Sequence, residues 1–260
     1  MMMGAIAGSA MASASAMGTI LGPEMEKEGY SKEFGAAVNI TSSTTGLVIP
    51  PSNTLIVYSL ASGGVSIAAL FLAGYIPGIL TGLFMMIVAI FWAKKHKYPV
   101  GKRSSLKEVF VKFVDAVPSL LLLVIVIGGI IGGVFTATEA SAVAVLYTLL
   151  LSFYYKELSL KDLPKVILES TETTAIVMLL IGASMCMSWV LSYENIPQDI
   201  SNFLLSVSDN KIIILLMINV ILLAVGVFMD ATPAVLIFTP IFLPIVTELG
   251  MDPTHFGIVL

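Results

Sequence analysis

Residues 41–53, TSSTTGLVIPPSN, constrain this chain more than any other stretch. Hydroxyls, Gly46, the adjacent Pro50 and Pro51 and an amide at Asn53 stand there in an otherwise apolar background. Both prolines lack an N–H donor, and Pro51 disfavours the α region at Pro50, so a helix entering this stretch is predicted to unwind over residues 46–51. In hydrocarbon such a break survives only where protein buries it or where it lines a polar cavity. The stretch therefore reads as a binding site inside a membrane protein.

Composition supports the membrane. The chain of 260 residues is 57% hydrophobic and 12% charged, against about 25% charged residues in ordinary soluble domains. An all-α polytopic membrane protein is expected, with the lipid bilayer around it and no nucleic-acid partner. A single cysteine, Cys186, excludes an intramolecular disulfide and a cysteine-based metal cluster. It reads as a small buried apolar residue. The beginning, MMMGAIAGSAMASASAMG, has no basic n-region and is not read as a signal peptide. Both ends stop within apolar runs, so a piece of a longer polypeptide is expected.

Along the chain, residues 1–23 are rich in small residues that let membrane helices approach closely. Their polar part, residues 8–15, suits the tip of a re-entrant hairpin. A charged link over 24–33 leads to the broken helix over 34–59. Residues 66–93 are a spanning candidate ending in Phe91 and Trp92, followed by KKHKYPVGKR. Aromatics followed by dense Lys and Arg mark a cytoplasmic end. Residues 106–116 read as a short interfacial helix. Residues 117–135, 139–154, 166–193 and 211–228 read as further spans, with an acidic outer loop over 194–210. Pro233, Pro240 and Pro244 argue against one straight helix over 229–260, which reads as a second re-entrant hairpin.

The polar-interrupted regions repeat. Pro23 is followed by Gly29 and then Phe34-Gly35; Pro244 is followed by Gly250 and then Phe256-Gly257. Interrupted helices at equivalent places of a weak internal repeat are the pattern of secondary transporters, whose sites lie near the midplane. A second proline break is then expected about 20 residues past Gly250, beyond Leu260. Whether the repeat is inverted stays open at this level.

Other polar residues have ordinary readings. Hydroxyls in membrane helices often bond the preceding turn. An intramembrane carboxylate such as Asp230 is functional by default, with a helix N-cap as the alternative. Glu139, after Thr136, reads as a first-turn acid at a helix start. His96 and His255 have no second ligand at metal spacing, and Lys165 with Glu169 is a helix-surface pair. No converging acid–base or nucleophile set argues for a membrane-embedded enzyme.

The segments LFLAGYIPGILTGLFMMIVAIFWAKKHKYP, GGVFTATEASAVAVLY and GVFMDATPAVLIFTPIFLPIVTELGMDPTHFG resemble the large permease subunit of tripartite ATP-independent periplasmic (TRAP) transporters over essentially the whole chain. The resemblance implies an elevator-type secondary transporter in a bacterial cytoplasmic (inner) membrane. It also implies a small membrane subunit and a periplasmic substrate-binding protein as partners, with sodium as the coupling ion and no other cofactor. The substrate implied is a carboxylate such as a C4-dicarboxylate, sialic acid or another sugar acid. Motif for motif, GSAMASAS matches the family's first hairpin, GLVIPPS its first broken helix and MDATPA its second hairpin. Many members carry an Asp in the first hairpin; here Ser9, Ser13 and Ser15 stand in that neighbourhood.

Sodium prefers oxygen ligands, and helix breaks free carbonyls to supply them, while half-helix N-termini can face an anion. Gly8, Ser9 and Ser13, with Thr45, Gly46, Val48, Pro51 and Ser52 opposite, are expected to enclose one sodium. Asp230, Ala231 and Thr232 are expected to form part of a second site. The corresponding division is a transport part over 1–63, scaffold and connecting helices over 64–228, and a second transport part over 229–260. A sodium–dicarboxylate carrier working without a binding protein is the rival reading.

Overall fold

The computed structural model describes residues 3–4, 8–99, 105–208 and 210–260. Lys102 and Arg103 of the basic loop, and residues 5–7 of the first hairpin, lie outside them. The described residues form α1 (Ala10–Lys27), α2 (Lys32–Ser43), a 3-10 turn (Thr44–Leu47), α3 (Asn53–Ala61), α4 (Ile67–Lys95), α5 (Leu106–Ile131), α6 (Ala137–Tyr154), α7 (Leu163–Tyr193), α8 (Ile196–Val207), α9 (Lys211–Gly226), α10 (Ala231–Glu248) and α11 (Pro253–Val259). Among them α4, α5, α6, α7 and α10 are long and apolar enough to cross a membrane. The chain divides into two compact units, Met1–Asn53 with Gly74–Ser159, and Thr54–Ala73 with Leu160–Leu260.

In the first unit α1 and α2 pack as an antiparallel pair, tied where the Asn39 amide donates to the Ala14 carbonyl at 2.7 Å. Their connecting turn meets the end of α4 through rings: Tyr98 lies 4.9 Å from Tyr30 and 5.2 Å from Phe34, and its hydroxyl donates to Ser31. His96 stacks on Trp92 and faces the Trp92 carbonyl. α6 begins with a capping box in which Thr136 and Glu139 bond each other's backbone N–H, the structural role read for Glu139.

Several expectations are corrected. Residues 106–116 are not a separate helix; they open the continuous α5, capped by Ser105 and Glu108, with Pro118 inside it. The spacing of charges over that stretch was already helical, and the helix carries on through Pro118 into the apolar run. Residues 194–210 hold a helix, α8, whose Pro197, Ser201 and Leu204 are buried on one face. Its apolar residues recur at helical spacing, which outweighs the acidic composition. Cys186 is exposed. It lies on α7, a helix with no buried residue, and an all-round apolar helix gives no sequence signal for which side faces protein.

The second hairpin also differs from expectation. Residues 231–248 form a single helix, and the hairpin is α9 and α10 joined through residues 227–230. Pro233 falls in the first turn, where a missing N–H removes no intrahelical bond. Pro240 frees the Leu236 carbonyl, and the Ser184 hydroxyl of α7 donates to it at 2.6 Å. A substituted hydrogen bond lets the helix continue through the proline.

The repeat is written into the hydrogen bonds with one constant shift of 221 residues. At the hairpin turns Gly8 N–H donates to the Gly4 carbonyl and Met229 N–H to Val225. At the helix starts Ser13 N–H donates to Ser9 and Ala234 N–H to Asp230. At the helix ends Glu28, Gly29 and Tyr30 donate to Glu24, Glu26 and Met25, while Leu249, Gly250 and Met251 donate to Ile245, Thr247 and Val246. Gly29 and Gly250 both have positive φ, at 88° and 78°, which glycine adopts without strain. Ser31 and Asp252 then cap the next helices. This register aligns Gly35 with Phe256 and Ala36 with Gly257, one residue away from pairing the two Phe-Gly dipeptides.

Candidate functional site

The broken helix unwinds where the prolines dictate. α2 ends at Ser43, the 3-10 turn runs to Leu47, and the chain re-enters helix at Asn53. Thr45 and Ser52 are buried, at 1% and 0% exposure, and so are Ser43 and Pro50. The Thr45 hydroxyl donates to the Ser42 carbonyl at 2.7 Å, which leaves its lone pairs on the acceptor side. The Thr45 carbonyl accepts from both Val48 and Ile49 N–H. The Ser52 hydroxyl donates to the Leu47 carbonyl, closing the turn around Val48 and Pro51.

The hairpin turn packs directly against this break. Asn53 N–H donates to the Gly8 carbonyl at 3.3 Å. Gly8 has φ of 61°, and a Cβ there would lie 2.9 Å from the Pro51 carbonyl oxygen. Gly46 has even less room: a Cβ would lie 2.4 Å from the Gly4 carbonyl oxygen. Two backbones thus meet without side chains between them. Ser13 is buried at 1% exposure on α1, while Ser9 serves as N-cap, accepting from Ala12 N–H at 3.4 Å. Gly8, Gly46 and Pro51 are therefore brought together, and Ser9 carries a structural task of its own.

Asp230, Ala231 and Thr232 belong to the second unit. Asp230 occupies the N-cap place of α10, yet its side chain makes no capping hydrogen bond and it is exposed. Ala231 and Thr232 are half-buried in the first turn. The free N–H groups of that turn give it a positive end. Among the described residues no three His, Cys, Asp or Glu side chains stand together as a metal-holding group.

Gly4 and Asn39 were not singled out from the sequence. Gly4 and Gly8 are four apart, the small-residue spacing that marks close helix approach, and this was the available signal. Asn39 is an amide in the middle of α2, and in apolar surroundings such groups bond across to a neighbouring helix.

Comparison with known proteins agrees with the architecture. All of residues 1–260 match the family described as "Tripartite ATP-independent periplasmic transporter, DctM component". The chain is 58% identical, over 99% of its length, to a Salmonella typhimurium protein described as "Uncharacterized protein YgiK", of which it covers 59%. It is 40% identical over its whole length to the C4-dicarboxylate TRAP transporter large permease protein DctM of Pseudomonas aeruginosa, covering 61%. It is 37% identical over 97% of its length to the sialic acid TRAP transporter large permease protein SiaM of Vibrio cholerae, covering 59%. The chain thus spans about three fifths of the length of these relatives. The two relatives named as TRAP permeases are transport proteins rather than enzymes, and together with five apolar helices among the described residues they indicate a multi-pass protein of the inner membrane. The chain belongs to the family of the DctM component of tripartite ATP-independent periplasmic transporters.

Proposed function

We propose that this chain is part of a permease for secondary active, sodium-coupled uptake of a small organic acid. A periplasmic binding protein would deliver the substrate, and a small membrane subunit would complete the membrane complex. Family membership supports the reading, and the two relatives described above that are named for a substrate carry C4-dicarboxylate and sialic acid in their names, both acids. The candidate substrates are accordingly a C4-dicarboxylate, sialic acid or another sugar acid.

The observation that carries the proposal is the packing of the Gly8 turn on the Gly46–Pro51 break, with Thr45 and Ser52 buried beside it. Backbone and hydroxyl oxygens concentrated at a helix break suit a hard monovalent cation. The positive end of α10 beside Asp230 and Thr232 suits part of a second ion or carboxylate site. Thr45, Gly46, Val48, Pro51 and Ser52 form one wall of the first site, and Gly8 and Ser13 the other.

The test is uptake of labelled acids into proteoliposomes containing the full-length permease, its small subunit and the binding protein. Replacing sodium with choline is expected to abolish uptake. Uptake indifferent to sodium would overturn the coupling, and uptake without any binding protein would favour the independent carrier.

A further inference from the structure

Asn39 joins the two walls of the first site. Its side-chain amide donates to the carbonyl of Ala14 on α1 at 2.7 Å, next to the buried Ser13. Its own main-chain carbonyl accepts from the Ser43 hydroxyl at 2.8 Å and from the Ser42 hydroxyl at 3.2 Å. The Ser42 carbonyl in turn accepts from the Thr45 hydroxyl at 2.7 Å. A line of hydrogen bonds thus runs from Thr45 at the break, through Ser42 and Asn39, to α1 beside Ser13. Gly18 makes room for the amide: a Cβ there would lie only 2.9 Å from Asn39 Nδ2.

A hairpin arm packs on its neighbouring helix without such a tie in the second copy. In the register of the repeat, Ala14, Gly18 and Asn39 correspond to Val235, Thr239 and Leu260. There α10 packs on α11 with a leucine in place of the amide, and the buried Thr239 hydroxyl has no partner among the described residues. Val235 and Leu260 are large enough to hold the crossing by contact, whereas Ala14 and Gly18 are not. In the first copy the amide therefore sets the spacing of α1 from α2.

We propose that Asn39 is a positioning residue for the coupling cation, acting through Ser13 on one side and Thr45 on the other. The inference rests on the sodium reading of that site. Ligands hold a cation only when hydrogen bonds behind them fix where they stand. Asn39 supplies that support to both walls at once, its Nδ2 gripping the residue beside Ser13 and its carbonyl gripping the two serines that precede the break. Loss of the amide frees α1 from α2 at this level, and the two sets of oxygens no longer keep one separation.

The test follows the rise in melting temperature that sodium, compared with choline, gives the purified full-length permease, because a bound ion stabilises the fold by an amount set by its affinity. Asn39→Leu installs the residue of the second copy. It is expected to need about fivefold more sodium for the same rise, the equivalent of one hydrogen bond. Gly18→Ala leaves Asn39 in place but crowds its amide, and is expected to shift the sodium requirement in the same direction. A purely structural role would lower the melting temperature equally in sodium and in choline and leave the rise unchanged; that result for Asn39→Leu would overturn the inference. Where Asn39→Leu fails to fold, Gly18→Ala decides by the same comparison. A wild type that gains no stability from sodium would overturn the sodium reading and this inference with it, whereas a wild type that gains and variants that gain equally would overturn the inference alone.

Discussion

Gly4 and Gly46 meet backbone to backbone, and the contact is unequal: a Cβ on Gly46 would lie 2.4 Å from the Gly4 carbonyl oxygen, whereas one on Gly4 would lie 3.2 Å from Gly46 N. Gly46→Ala must therefore push the hairpin arm off the break, and overpacking of this kind costs about 1–3 kcal/mol. Gly4→Ala is expected to be the milder change. Melting temperatures of the two purified full-length variants, read beside their uptake rates, check the order. Equal behaviour of both would show that the crossing is looser than drawn.

Thr45 offers a separate test of the ion wall. Thr45→Val keeps the shape but removes the oxygen, and an interaction with a charged group is worth about 1.5–3 kcal/mol. The sodium concentration giving half-maximal uptake is expected to rise about tenfold or more. An unchanged sodium dependence with intact folding would exclude Thr45 as a ligand.

Ser184 and Pro240 act as a pair. Ser184→Ala leaves the buried Leu236 carbonyl without the donor that replaces the missing proline N–H. The expected loss is about 1–3 kcal/mol of stability. In a Pro240→Ala background, residue 240 regains its N–H for Leu236, so the same Ser184→Ala change should cost markedly less. A double-mutant cycle on thermal stability measures this coupling; strict additivity would contradict it.

Tyr58 fills the space that a side chain at Gly257 would need, with its ring 2.3 Å from an added Cβ. Its hydroxyl donates to the Pro253 carbonyl at 2.6 Å. Tyr58→Phe is expected to cost about 1 kcal/mol through that lost bond, and Gly257→Ala more, because the ring is buried and has nowhere to move. Thermal melts of the second-unit variants in detergent rank the two; the reverse order would place the ring elsewhere.

Local chemistry made most of the helical plan legible. Runs of apolar residues set α4, α6 and α7 close to the expected bounds, and Gly46 with Pro50 and Pro51 located the break. Pro23, Gly29, Pro244 and Gly250 exposed the repeat, because turn residues act through their own backbone. The sequence misled where a neighbour could replace what a residue removes. Pro240 reads as a helix breaker until Ser184, 56 positions away, supplies the donor. Cys186 reads as buried because an apolar helix does not reveal which side meets protein.

What the sequence by itself determined was the class of the protein and the places where its helices stop, since hydropathy, proline and glycine act locally. Only the tertiary structure decided that Gly8 and Gly46 face each other's chain segments, that Thr45 and Ser52 are buried beside them, and that the two copies share one register. Close backbone approach depends on two distant segments both lacking side chains at the same point, and a linear sequence records each lack without showing that they meet.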